Sequence, residues 1–158
     1  MNHFFKISLI TCSLVLSNNI MPYVQFKQLE NGVHVIVERN PYAEAEIRYK
    51  QYRDENKTPQ EILSEVDTLE KGYKEALPSL KIFPTYNPWV DTTIIRSLRY
   101  LAQKDLPDTA NNRLSKLLDL SFRDLDKNFL TRKTAIEAKQ AETERKALSR
   151  YKDKEIGK

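Results

Sequence analysis

Three times in this chain a side chain suited to capping a helix stands directly before a proline: Asn40-Pro41, Thr58-Pro59 and Asn87-Pro88. Asn and Thr accept hydrogen bonds from the unpaired N–H groups of a first helical turn. Proline at the next position gives up a donor that the turn does not use, and its fixed φ suits the helix. Each pair therefore marks a helix start. Only three glycines occur in 158 residues, and Lys, Glu, Leu and Ala dominate the second half, a balance that favours helix over sheet. The length is that of one domain, and 40% hydrophobic residues are enough for one core.

The apolar spacing after each start supports the same reading. Thr58-Pro59-Gln60-Glu61 has the form of a capping box, and Ile62, Leu63, Val66, Leu69, Tyr73 and Leu77 follow at helical intervals. Asn87-Pro88 precedes Val90, Ile94, Leu98, Leu101 and Ala102, and Asp105-Leu106-Pro107-Asp108 closes that helix and opens another. Ala110, Leu114, Leu117, Leu118, Phe122, Leu125, Phe129 and Leu130 then recur at three- and four-residue steps. This stripe is expected to be buried against the two preceding helices, a coiled-coil or oligomer seam being the alternative. Thr134-Ala135-Ile136-Glu137 resembles a second capping box, so a long last helix is expected either to continue the previous one or to be set off by a kink near residues 131–134. Asn40-Pro41 favours helix through about Asp54, although Ala45, Ile47 and Tyr49 alternate with charged residues as in a strand.

Ahead of the first proline pair the pattern changes to a period of two. Val24 to Leu29 and Val33 to Val37 are rich in β-branched and aromatic residues, and Glu30-Asn31-Gly32 between them supplies an Asn-Gly turn. A β-hairpin is expected, one face of which covers the helices, since an isolated hairpin is marginal in water. The run FKQLENGVHVIVERN, Phe26 to Asn40, resembles the opening strand pair of the inverzincin-type zinc peptidases. That family also requires a His-x-x-Glu-His helix downstream, and no histidine follows His34, so neither the metal nor the activity carries over.

The N-terminus has the order of a secretory leader. Lys6 precedes an apolar run from Ile7 to Leu16, interrupted by Ser8, Thr11, Cys12 and Ser13, and Ser17-Asn18-Asn19 forms a polar exit. Cleavage after Ser17 and a periplasmic or secreted location are expected. The run is too short to span a membrane, which takes about 20 apolar residues. Thr11 is larger than the residue expected before a lipidated cysteine. The competing reading is translation from Met21, which makes the protein cytoplasmic.

Much site chemistry is excluded by composition. Cys12 is the single cysteine and lies in the leader, leaving a mature chain without disulfides or thiolates and with His34 as its one imidazole. A Cys/His zinc site and a Cys-His couple are therefore excluded. There is no Gly-x-Ser-x-Gly turn, P-loop, dinucleotide fingerprint or calcium loop. The acids Glu61, Glu65, Asp67, Glu70 and Glu75 read as a solvated helix face. No cofactor is expected.

Charge is unevenly placed: residues 76–158 hold 17 basic and 11 acidic side chains within a chain of net +4. Acidic residues interrupt each basic cluster, unlike a dedicated phosphate-binding face. Residues 77–90 contain Pro78, Pro84 and Pro88 among large apolar groups, and are expected to leave the helix and pack on the core or receive a partner.

The sequence thus predicts a mainly α fold: a bundle of about four helices with an N-terminal β-hairpin and a long C-terminal helix. Residues 1–17 are read as a signal peptide, 18–40 as the hairpin segment, 41–133 as the bundle core and 134–158 as a charged C-terminal helix. The expected function is that of a non-enzymatic, exported interaction protein. Its candidate contacts with a protein partner are Phe83, Tyr86 and Trp89 in the Pro-aromatic segment and Arg145, Lys146 and Arg150 on the last helix. The alternative is a cytoplasmic accessory protein that binds nucleic acid or a nucleoprotein through its basic helical half. Nothing in the sequence sets the oligomeric state.

Overall fold

Each cap-proline pair begins a helix, as a computed structural model covering residues 24–82 and 86–156 shows. The expected leader, Met21 and Phe83 lie outside these described residues. In order, the elements are β1 (Val24–Gln28), β2 (His34–Glu38), α1 (Pro41–Asp54), α2 (Pro59–Leu80), α3 (Pro88–Lys104), α4 (Ala110–Leu118) and α5 (Leu120–Ile156). The protein is mainly helical, with an N-terminal antiparallel hairpin and a long C-terminal helix.

Helix wins over strand at 41–54 because both ends are closed. Asn40 Oδ1 accepts from Ala43 N at 3.2 Å, while its Nδ2 donates to the Lys133 carbonyl at 3.0 Å. At the other end Asn56 takes φ 62°, and Asn56 N and Lys57 N return to the carbonyls of Arg53 and Tyr52 in a Schellman closure. The capping box of α2 forms as expected: Glu61 N donates to Thr58 Oγ1 at 3.2 Å, and Thr58 N donates to Glu61 Oε2 at 2.7 Å.

Two helix boundaries differ from expectation. Pro78 does not end α2, which runs on to Leu80; placed in the last turn, the proline disturbs little of the ladder, and Lys81 N still reaches the Leu77 carbonyl. The long apolar stripe of 110–130 is broken at Asp119. There the backbone becomes extended, at φ −76° and ψ 104°, and Asp119 Oδ1 accepts from Phe122 N at 3.0 Å to start a new helix. No kink follows at 131–134. Thr134 Oγ1 bonds back to the carbonyls of Leu130 and Thr131, so its hydroxyl is used within a continuous helix rather than as a cap.

Three apolar clusters hold these elements. In the first, Ala45 and Tyr52 of α1 and Ile62, Val66 and Leu69 of α2 pack on Val90, Ile94, Ile95, Leu98 and Ala102 of α3. In the second, Tyr42 and Tyr100 meet Leu125, Phe129 and Ile136 of α5, with the Tyr42 and Phe129 rings edge to face at 5.4 Å. The third sets Leu29, Val35 and Val37 of the hairpin against Ala147 and Leu148.

Hairpin register follows from Gly32, whose φ of 80° completes the turn, and Phe26 faces Ile36 across the strands. The Val35–Val37 face is the buried one; the Phe26–Ile36 face points outward. Polar ties fix the packing: Arg99 bridges Asp67 and Glu70 between α2 and α3, Lys133 pairs with Glu46, and Lys27 pairs with Glu144 at 2.7 Å. Among the described residues no helix is long and apolar enough to cross a membrane.

Leu98 is fully enclosed at the centre of the first cluster, whereas Leu118 on α4 is 71% exposed. Leu98→Ala is expected to cost about 2–5 kcal/mol in urea unfolding, and Leu118→Ala less than about 0.5 kcal/mol for the isolated monomer.

Candidate functional site

Asn87 sets the geometry of the region that the sequence singles out. Its Oδ1 accepts from Trp89 N at 3.0 Å, which fixes Trp89 in the first turn of α3. Helical spacing then places Trp89, Thr93 and Arg96 along one face, while Val90, Ile94 and Leu98 turn into the core. The Trp89 face looks across to α5. Between the two helices lies an open cavity of about 340 Å³ whose walls include Trp89, Thr93, Arg96, Asp124, Leu125 and Arg132. A second cavity of about 310 Å³ adjoins it, bounded by Glu38, Ala135 and Ile136. Tyr42, Trp89 and Arg132 line both, so the two form one groove with Trp89, 36% exposed, on its rim. Arg132 Nη1 lies 3.5 Å from Tyr42 Oη.

A buried polar cluster stands behind the Trp89 turn. Tyr86 Oη donates to Asp91 Oδ2 at 2.8 Å and lies 3.3 Å from Tyr73 Oη, which in turn lies 3.4 Å from the Pro88 carbonyl. These bonds tie the segment before α3 to both α2 and α3. Asp91 is almost wholly buried, and its Oδ1 has no hydrogen-bond partner. Loss of hydration raises the Asp91 pKa above the ordinary carboxylate value, against the opposing pull of the Tyr86 hydroxyl and the Arg39 charge. Arg39 is itself forked onto Glu44, at 2.9 and 2.6 Å. The Tyr86 phenol is pushed upward by burial and by its Tyr73 and Asp91 neighbours, which keeps it a donor.

The residues singled out from sequence do not converge on one site. Trp89 stands on the groove. Tyr86 is half-buried, with its hydroxyl engaged by Asp91. Arg145, Lys146 and Arg150 are exposed on the far stretch of α5, with Lys146 bonded to Glu142 at 2.7 Å. Thirteen residues of helix separate Arg132 from Arg145, roughly 20 Å along the axis. The groove adds Tyr42, Arg96 and Arg132. Arg96 was detectable as the residue two turns after Trp89; Arg132 was not, because its position depends on α5 passing straight through 131–134.

Most of the acids of α2 are held in structural bonds. Glu61 belongs to the capping box, Glu65 meets Lys57 at 3.0 Å, and Asp67 and Glu70 hold Arg99. His34 is exposed on the outer hairpin face. Among the described residues no group of three His, Cys, Asp or Glu side chains is arranged to hold a metal ion. Comparison with protein-family models, curated proteins and solved structures finds no match to this chain.

The Asp91 cluster has a pH signature. A carboxyl whose pKa is raised by folding stabilises the native state most when protonated, and that contribution is lost as pH rises from its unfolded value, about 3.9, through the folded one. Asp91→Asn keeps an acceptor for Tyr86 and removes the charge. Urea unfolding across pH is expected to show this variant more stable than the parent at neutral pH and converging with it in acid; a variant less stable at neutral pH contradicts the assignment.

Proposed function

We propose that the protein is a non-enzymatic binding protein, acting outside the cytoplasm, that receives a segment of a protein partner in the groove between α3 and α5. The supporting observation is the placement of Trp89: held by a capped first turn, it forms the rim of two adjoining cavities rather than the interior of the core. Tryptophan and arginine are the side chains that most often dominate protein–protein binding, because a rigid ring fills a pocket and a guanidinium makes several directed bonds. This groove has Trp89 with Arg96 and Arg132 on its walls, and apolar surface from Pro88, Leu120 and Leu125 beside them.

The matching partner segment has a side chain that packs on the indole and a carboxylate that reaches the guanidinium groups. Asp124 and Glu38 at the edges oppose a uniformly acidic ligand. The distal cations Arg145, Lys146 and Arg150 lie outside the groove and act, if engaged, as a separate electrostatic contact.

A photo-crosslinking residue at position 89, in the protein expressed in its native host, is expected to trap one protein species that the same residue at exposed Ile47 does not. With that species purified, Trp89→Ala is expected to weaken binding by at least about thirtyfold, the loss typical of a binding hot spot, with stability changed by less than about 1 kcal/mol. Crosslinks to nucleic acid, with steeply salt-dependent binding, contradict the proposal and favour a nucleic-acid partner for the basic half.

A further inference from the structure

Helix α4 presents a problem that the groove does not explain. It has nine residues, none of them buried, and isolated helices shorter than about 12–15 residues are marginal in water. Its polar side is tied to the preceding turn and to the end of α3. Thr109 Oγ1 caps Asn112 N at 3.3 Å, Asn112 Nδ2 donates to the Pro107 carbonyl at 2.7 Å, and Lys116 Nζ reaches the Lys104 carbonyl at 3.3 Å. The opposite side carries Leu114, Leu117 and Leu118 at helical spacing, 56%, 63% and 71% exposed. An apolar stripe this regular is built to be covered.

The rim of the stripe narrows the choice of what covers it. By helical spacing its neighbours are Ala110, Asn111, Arg113 and Ser115, and the Arg113 guanidinium is neutralised by Asp108 in a two-point bond. Lys116 is turned away, toward Lys104 and the Phe122 ring. An interfacial membrane helix needs a cationic border to meet anionic headgroups, and a strongly charged partner needs a charged border to steer it. A border whose one cation is already balanced by its own Asp108 instead allows an identical surface to approach without like-charge repulsion. Three leucines at roughly 100 Å² each form a patch of about 300 Å², within the range that monomers expose at a functional surface. Two such patches with their rims reach about 1,000 Å² in total, the size of a weak, reversible contact.

We infer that the leucine face of α4 seats a second copy of this chain, α4 against α4 about a two-fold axis, in a reversible dimer of micromolar affinity. In a two-fold contact the same patch serves both protomers, which a single stripe with a charge-balanced border satisfies. The order that α4 lacks from its own core then comes from its partner copy. This inference does not rest on the groove as a partner site, and Leu117 and Leu118 do not line that groove.

Sedimentation equilibrium of the full chain, from low micromolar to several hundred micromolar, tests it. The expected result is a monomer–dimer equilibrium that Leu117→Glu with Leu118→Glu abolishes. Leu117→Ala is expected to weaken it at least about tenfold, while Ile47→Glu on α1 leaves it unchanged. Because both leucines are exposed, the melting temperature of the dilute monomer should not fall in any of the leucine variants. A chain that stays monomeric throughout overturns the inference, as does a dimer indifferent to the leucine substitutions. A monomer that floats with vesicles of mixed neutral and anionic lipid, and loses this with the same substitutions, also overturns it and assigns the face to a membrane.

Discussion

Burial of α3 on two of its sides is the constraint from which the rest of the structure follows. Val90, Ile94, Leu98 and Ala102 fill the space between α1 and α2, while Tyr100, on another side, meets Phe122 and Phe129 of α5. A surface helix has one apolar stripe; this one has an apolar arc wide enough to organise two clusters. Removing α3 would leave α1, α2 and α5 without a common partner. The hairpin is secondary to this arrangement, since it packs on a stretch of α5 that α3 has already positioned.

The groove arises where that packing stops. From its N-terminal turn onward, the side of α3 that bears Trp89, Thr93 and Arg96 faces Asp124 and Arg132 of α5 across a cavity rather than a packed seam. The turn is rigid for reasons lodged elsewhere: the Asn87 cap, the Tyr86–Asp91 bond and the Tyr73 hydroxyl beneath Pro88. A buried carboxyl with one unbonded oxygen costs stability. Here that cost accompanies a fixed presentation of Trp89, and order of this kind lowers the entropy cost of binding at the surface proposed above.

Much of the fold was legible because its signals are local. Asn40, Thr58 and Asn87 cap through their own side chains within three residues, and the Asn31-Gly32 turn fixes the hairpin without outside help. What was not legible depends on contest or distance. Asp119 caps a helix as Asn40 does but lacks a following proline, so a continuous leucine stripe concealed the break that sends Phe122, Leu125 and Phe129 inward and leaves Leu114, Leu117 and Leu118 outside. Thr134 carried a capping pattern that the helix absorbed. The groove was half legible: Trp89 stood out as the single tryptophan, but Arg132 reaches it from more than forty positions away, and Tyr86 gave no sequence sign that its hydroxyl was committed to Asp91.

Native-state amide hydrogen exchange tests the organising role of α3 most directly. Exchange requires opening, so amides protected only by global unfolding identify the element on which the others depend. The account predicts that Ile94 through Ala102 exchange most slowly in the molecule, through the same global opening that denaturant unfolding reports, with α1 and the Phe122–Ile136 stretch of α5 next and α4 fastest among the helices of the dilute monomer. Exchange of α3 as fast as that of α4, with α5 retaining full protection, would contradict it.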